Sequence, residues 1–327
     1  MIEFSPIERL AVRLQHCPGV GPVAVRALLG RIRHSGLTPE EWWALNDTDW
    51  QAKFGMRPAS IQALRQQEAT VHVLLEKLTL QGVRILVAGT SQYPARLSSM
   101  LGSTAPPILY ALGNLELFDR PSVGFCGSRK ASPKGLAVAS ECARILAEEG
   151  VNIVSGYASG VDLTAHEAAL AAGGTTTLVL AEGIQHFRIK QTLRPYLVGA
   201  DEDRYLAVSE FPPTLAWKAH SAMTRNRTIC GLSQALIVIE SGLEGGTFEA
   251  GKTALALNEP LFCIEYADPA PAAAGNPYFL SHGAHALKRL RSGLPNLAPV
   301  LAASRQFSDP NPVPLLLREE PPNSSNP

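Results

Sequence analysis

The sequence predicts an α/β fold, a parallel sheet with helices between its strands, behind a small helical domain at the N-terminus. Two observations predict it. Residues 151–174, VNIVSGYASGVDLTAHEAALAAGG, run a β-branched apolar stretch into glycines and then into an alanine-rich, helix-forming segment, the order of a strand that feeds a helix through a tight loop able to hold an anion. The same grammar recurs in SVGFCGSRK (122–130), TTLVLAEGI (176–184) and QALIVIESGLEGGTFEAGKTALAL (234–257). Strands that repeat in this order form a parallel sheet whose loops emerge at one edge, so the ligand crevice is expected where those loops meet.

Composition sets the outer bounds. Of 327 residues, 46% are hydrophobic and 18% charged, ordinary for a chain that buries a full core. Lys plus Arg and Asp plus Glu number 29 each, so affinity for nucleic acid has to come from a local patch rather than a global field. The cysteines, Cys17, Cys126, Cys142, Cys230 and Cys263, form no CxxC pair and sit mostly in apolar runs, which reads as buried thiols in a reducing compartment. MIEFSPIERL lacks a basic-then-apolar leader pattern and no window approaches a membrane span, so a cytoplasmic location and no membrane contact are expected.

Along the chain, residues 1–75 carry short helical patterns broken by Gly and Pro and form the expected helical domain. Within it Pro18, Gly19, Val20, Gly21 and Pro22 separate two amphipathic segments, like the turn of a helix-hairpin-helix whose backbone approaches a phosphate; a scaffold turn is the competing reading. Trp42, Trp43 and Trp50 lie among acids and are assigned to the core and lid of this domain. Residues 76–298 form the sheet domain, opening with GVRILVAG and PPILYALGNL as extended runs. Residues 299–327 end in SDPNPVPLLLREEPPNSSNP, too rich in Pro, Ser and Asn for a packed element, and are expected to be a flexible tail.

Six stretches taken in order, YPARL (93–97), PPILYALGNL (106–115), Gly127-Ser128-Arg129, SGYASGVDLTAH, SEFPP (209–213) and RNRTICGLSQALIVIE (225–240), make the chain resemble the DNA-processing protein A family, also called Smf. The resemblance covers most of residues 1–295. It implies an extended Rossmann-like core that binds single-stranded DNA without ATP or another cofactor, self-associates as a homodimer, and helps load a RecA-type recombinase in natural transformation or related DNA processing. No winged-helix module is read after residue 295.

The phosphate-contacting set is then Gly127, Ser128, Arg129, Lys134, Gly156, Gly160, Arg225, Asn226, Arg227, Gly245, Gly246 and Thr247. Arg129 follows a strand and a Gly-Ser turn, so its guanidinium would fork onto a phosphate over the crevice; pairing with a neighbouring acid is the alternative. Arg225 and Arg227, read on extended chain, would share a face and track one backbone. Asp162 is expected to cap the helix that follows it, and His166, one turn on, to be a supporting rather than a reacting group. No metal cluster and no catalytic constellation is legible. Two departures from the family pattern point elsewhere: Ser159 stands where a basic residue is frequent, and Gly245, Gly246, Thr247 and Glu249 resemble the Gly-Gly-Thr-x-x-Glu loop of LOG-type phosphoribohydrolases, one residue short. The alternative is therefore a nucleotide-binding enzyme or sensor, cleaving an N-glycosidic bond, with Glu249 and Arg129 as its polar pair.

Overall fold

The computed structural model describes residues 3–197, 202–266 and 271–306. Six helices come first: α1 (Pro6–His16), α2 (Pro22–His34), α3 (Pro39–Ala44), α4 (Asp47–Phe54), α5 (Pro58–Gln66) and α6 (Glu68–Leu80). Proline opens α1, α2, α3 and α5, where its missing N–H has no intrahelical partner to lose and its φ is already helical. Thr38 and Glu41 cap α3 reciprocally, the Glu41 N–H donating to Thr38 Oγ1 (3.2 Å) and the Thr38 N–H to Glu41 Oε2 (2.7 Å). Trp42 stacks on Trp50 with centroids 4.7 Å apart, both fully buried, while Trp43 lies half-buried under the Arg13 guanidinium. The Pro18–Pro22 turn joins α1 to α2 at the surface, with Gly19 at φ +77°.

The helices run on to Leu80, beyond residue 75, and one buried apolar cluster passes from Leu14, Trp42 and Leu64 into Ile85, Ile108 and Tyr110 of the sheet. Tyr110 Oη donates to Gln15 Oε1 across that junction at 2.6 Å.

The remaining elements are β1 (Arg84–Val87), α7 (Ala95–Leu101), β2 (Ile108–Gly113), β3 (Ser122–Cys126), α8 (Pro133–Glu148), β4 (Asn152–Ser155), α9 (Val161–Ala171), β5 (Thr176–Val179), α10 (Arg194–Leu197), β6 (Tyr205–Ser209), α11 (Ala219–Leu232), β7 (Ala235–Val238), α12 (Gly246–Ala256), β8 (Leu261–Ile264), α13 (Asn276–Ser281), β9 (His285–Leu287) and α14 (Ala298–Arg305). They build one sheet in the order β1-β2-β6-β5-β4-β3-β7-β8-β9. From β6 to β9 every neighbouring pair is parallel. β1 and β2 extend the sheet antiparallel, β2 pairing with β6. This is the parallel sheet that the repeated strand, glycine loop, helix order implied, and it fits the extended Rossmann-like core that the family resemblance implied; the antiparallel extension comes from the two runs that the sequence showed only as extended chain.

Alternation sorts the core. Val123 and Phe125 of β3 face α8, α9 and α14, whereas Cys126, Val154, Leu236 and Val238 face α11 and α12 on the opposite side. The strands β3 to β8 are buried along their whole length, as parallel strands covered on both faces must be. From β3 the chain winds through β4, β5 and β6 in one direction, then crosses back to β7, β8 and β9. The switch point therefore lies between the carboxyl ends of β3 and β7, where an open α/β sheet parts to receive a ligand. Helix α14 takes up the first residues of the segment expected to be a tail, while residues 307–327 lie outside the described residues. Among the described residues no helix is long and apolar enough to cross a membrane.

Candidate functional site

Two adjoining cavities open at the switch point. The larger, about 600 Å³, is lined by the loop Gly127–Lys130 after β3, by Asp162 of α9, and by Gly245, Gly246 and Thr247 at the start of α12. The smaller, about 370 Å³, is lined by Gly156–Ser159 after β4, Glu182 after β5, His186, Arg188 and Lys190. Arg129, Ala158, Trp217 and Arg225 line both. The loops meet because glycine lets them: Gly160 has φ +79°, and a Cβ there would lie 2.5 Å from the Ser128 carbonyl oxygen. The N-terminus of the eleven-residue α12, capped by Gly245, opens on the larger cavity, so the unpaired amides and positive dipole end of that helix face it.

Beneath the crevice lies a buried charge. Arg225 is 4% exposed and donates from Nη1 to the Val179 carbonyl oxygen at 3.0 Å, while its Nε has no hydrogen-bond partner. Burial pushes its pKa down and Asp162 opposes that push. Asp162 is buried as well; burial raises its pKa, with Arg225 the largest opposing influence, and its Oδ2 accepts the Ala158 N–H at 3.3 Å. Gly156 makes room for this arrangement, since a Cβ on it would sit 1.5 Å from Arg225 Nη1.

Above that floor the cations are accessible. Arg129 and Lys130 are exposed, and Arg129 has no carboxylate partner within ion-pair distance among the described residues; its guanidinium lies 5.3 Å from the Trp217 ring centroid. The acid-paired alternative for Arg129 is therefore not what the fold adopts. Trp217 is itself 48% exposed. In the smaller cavity Tyr157 adopts φ +58°, unusual for a side chain with a Cβ. Lys190 holds it there: its Nζ donates to the Tyr157 carbonyl oxygen and its N–H to the Tyr157 hydroxyl, both at 2.7 Å. The two cavities together present Arg129, Lys130, Arg188, Lys190 and Arg225 against Asp162, Glu182 and Glu244, a local positive excess on a neutral chain.

Several residues singled out in the sequence stand elsewhere. Arg225, Asn226 and Arg227 lie inside α11 rather than on extended chain. Adjacent alternate residues of a helix diverge by about 200°, so Arg225 goes to the crevice floor and Arg227 to the exposed far side, donating to Thr104 Oγ1 at 2.6 Å. Asn226 lines the larger cavity but ties α11 to α12 through the Gly246 carbonyl oxygen at 2.8 Å. Lys134 leaves the crevice for a separate depression beside Tyr266, 5.4 Å from its ring. Asp162 is not the helix cap: Gly160 occupies that position, and Asp162 sits in the first turn. Glu249 lies outside both cavities and pairs with Lys252 at 3.2 Å, so the Glu249 and Arg129 pair is not assembled.

His166 is fully buried, and burial pushes its pKa down to about 3. Thr176 Oγ1 donates to the Ile153 carbonyl oxygen (2.7 Å), so it accepts from His166 Nδ1 (2.6 Å). This fixes the neutral tautomer with its proton on Nδ1. The sequence reading missed Trp217, Arg188 and Lys190. Their only local signal was an aromatic and cations in glycine-poor stretches, because the fold alone brings residues 188, 190 and 217 beside the glycine loops.

Residues 84–297 match the family model described as DNA recombination-mediator protein A. The chain is 31% identical over 209 residues to DNA processing protein DprA of Bacillus subtilis, covering 63% of this chain and 69% of that protein. It is 31% identical over 232 residues to a putative DprA of Mycobacterium tuberculosis, covering 66% of this chain but only 58% of that protein's length. In fold it is similar to the X-ray structure of DprA from Streptococcus pneumoniae, with a TM-score of 0.69, 24% identity, and coverage of 88% of this chain and 95% of that one. A second similar structure, with a TM-score of 0.53, 24% identity, and coverage of 62% of this chain and 90% of that one, concerns the single-stranded DNA binding mode of DNA processing protein A from Helicobacter pylori.

Proposed function

The chain belongs to the DNA recombination-mediator protein A family, and from that premise we propose that it binds single-stranded DNA along the switch-point crevice and acts as a recombination mediator. The observation that carries this reading is Arg129: exposed, without a carboxylate partner among the described residues, and set over a cavity that also receives the positive end of α12. A planar guanidinium there can take a phosphate through two parallel N–H bonds. Arg225 adds fixed positive charge from the nearly buried floor of the crevice, and its low-dielectric surroundings strengthen its pull on a passing phosphate. Gly127, Ser128, Gly156, Gly245, Gly246 and Thr247 line the crevice and bring backbone rather than bulky side chains to the strand, the requirement for a track that follows a sugar-phosphate chain, while Gly160 packs the loops together behind them.

The family also supports a RecA-type recombinase as partner, a homodimer as the assembly, a cytoplasmic location and a setting in DNA uptake or related DNA processing; these stand with the proposal. The alternative of a nucleotide-cleaving enzyme loses its support with Glu249 outside the crevice and paired to Lys252.

The test is anisotropy of a labelled single-stranded oligonucleotide, titrated at several salt concentrations against duplex and mononucleotide competitors. We expect binding that resists mononucleotides and falls with salt at about 0.7 logarithmic units per phosphate contact. Arg129→Ala should weaken it at least tenfold with the melting temperature unchanged. Ready displacement by a mononucleotide would turn the assignment to a small-ligand site.

A further inference from the structure

The loop that carries Arg129 is fastened at both ends by one residue, Glu240, just beyond β7. At its start the Ser128 N–H donates to the Glu240 carbonyl oxygen at 2.8 Å. At its end the Ser132 N–H donates to Glu240 Oε2 at 2.7 Å and the Ser132 hydroxyl to Oε1 at 2.5 Å. Arg129, Lys130 and Ala131 lie between the two anchors. Glu240 is 1% exposed and lines neither cavity, so its carboxylate works on the loop and not on a ligand. A carboxylate is costly to bury unless it is hydrogen-bonded, and its place here offsets that cost. Ser132 caps the sixteen-residue α8, its Oγ accepting the Gly135 N–H at 3.0 Å, which sets Glu240 against the positive end of that helix. Gly135 leaves the space, since a Cβ on it would lie 2.5 Å from the Glu240 carboxyl carbon.

We propose that Glu240 is a positioning residue for strand binding: its side chain fixes the far end of the loop between β3 and α8 and so holds the Arg129 guanidinium where it meets a phosphate. This rests on the DNA reading above and deepens it. An arginine on a loop tethered at one end loses conformational freedom each time a phosphate arrives, whereas the doubly fastened loop presents the guanidinium already placed. The backbone anchor at Ser128 survives any substitution of Glu240, so removing the side chain frees one end of the loop and leaves the other.

The experiment measures anisotropy of a labelled single-stranded oligonucleotide on the full chain and on its E240A, E240Q, S132A, R129A and E240A/R129A variants at several salt concentrations, with hydrogen exchange of residues 128–135 beside it. E240A is expected to bind about tenfold more weakly, the order of one charge-assisted hydrogen bond, with a salt slope lower by about 0.7. In the R129A background the same substitution changes affinity by less than about twofold, because residues that act as one unit are not additive. E240Q, which keeps an oxygen for the Ser132 N–H, retains most of the affinity. Exchange at residues 128–135 quickens in E240A without quickening in β3 or β7. Should E240A not fold, S132A cuts the hydroxyl anchor from the other side and carries the same comparison with a smaller loss. Equal losses from E240A in the wild-type and R129A backgrounds would overturn the proposal and leave Glu240 a support of the fold at large, with the DNA reading intact. Undiminished binding by E240A would overturn it likewise. If the wild type binds no oligonucleotide, both fall.

Discussion

Buried ionisable side chains divide this molecule into groups that serve the crevice and groups that do not. Arg225 serves it, and its removal would strand the Asp162 carboxylate in a dry site without its main counter-charge. We expect Arg225→Ala to cost about 3 kcal/mol or more of stability in a urea titration, in contrast to the neutral effect of Arg129→Ala. Glu259 belongs to the second group. It is 4% exposed, and burial raises its pKa well above the usual carboxylate range, with Arg96 and then the Cys230 thiol opposing. The folded state therefore holds a proton that the unfolded chain releases, so this group makes stability fall as pH rises from about 4.3 towards its folded pKa. Glu259→Gln should remove that slope: measured by urea unfolding, its advantage over wild type should grow between pH 5 and pH 8. A wild-type curve parallel to that of the variant would show that Glu259 does not titrate as described.

At the scale of elements, the loop after β4 is the most constrained. Gly156→Ala would drive a methyl group into Arg225, so we expect it to lower both thermal stability and DNA affinity, whereas Gly19→Ala, with open space around its Cβ, should touch only stability through its positive φ. Elements of this kind were the legible ones. Apolar β-branched runs broken by glycine announced β3, β4, β5 and β7, hence the switch point and the crevice. Less legible was anything decided by a helix phase: Arg225-Asn226-Arg227 reads alike as strand or helix over three residues, and only the placement of α11 separates the buried arginine from the exposed one. Asp162 shows the same limit, since a boundary two residues earlier turned an expected cap into a side chain of the first turn. Trp217 was out of reach because its place at the crevice is shared with a neighbour 88 residues away, Arg129, that no local pattern connects to it.

For the whole molecule, the continuous apolar cluster from α1–α6 into the sheet predicts that helices and sheet melt together. Calorimetry should give one transition whose van't Hoff and calorimetric enthalpies agree; two resolved peaks would show that residues before β1 fold independently. Such a junction also bears on how the protein could be taken apart or rebuilt. A chain started at Arg84 would keep the crevice in full, since none of its lining residues precedes Cys126. It would also leave Ile85, Ile108 and Tyr110 without the cover of Leu14, Val71 and Leu78, a bared sticky face on which truncated copies would clump before any DNA reached them. Grafting the helical part onto another sheet would meet the mirror difficulty, so we expect the two halves to work as a single fitted piece rather than as interchangeable modules.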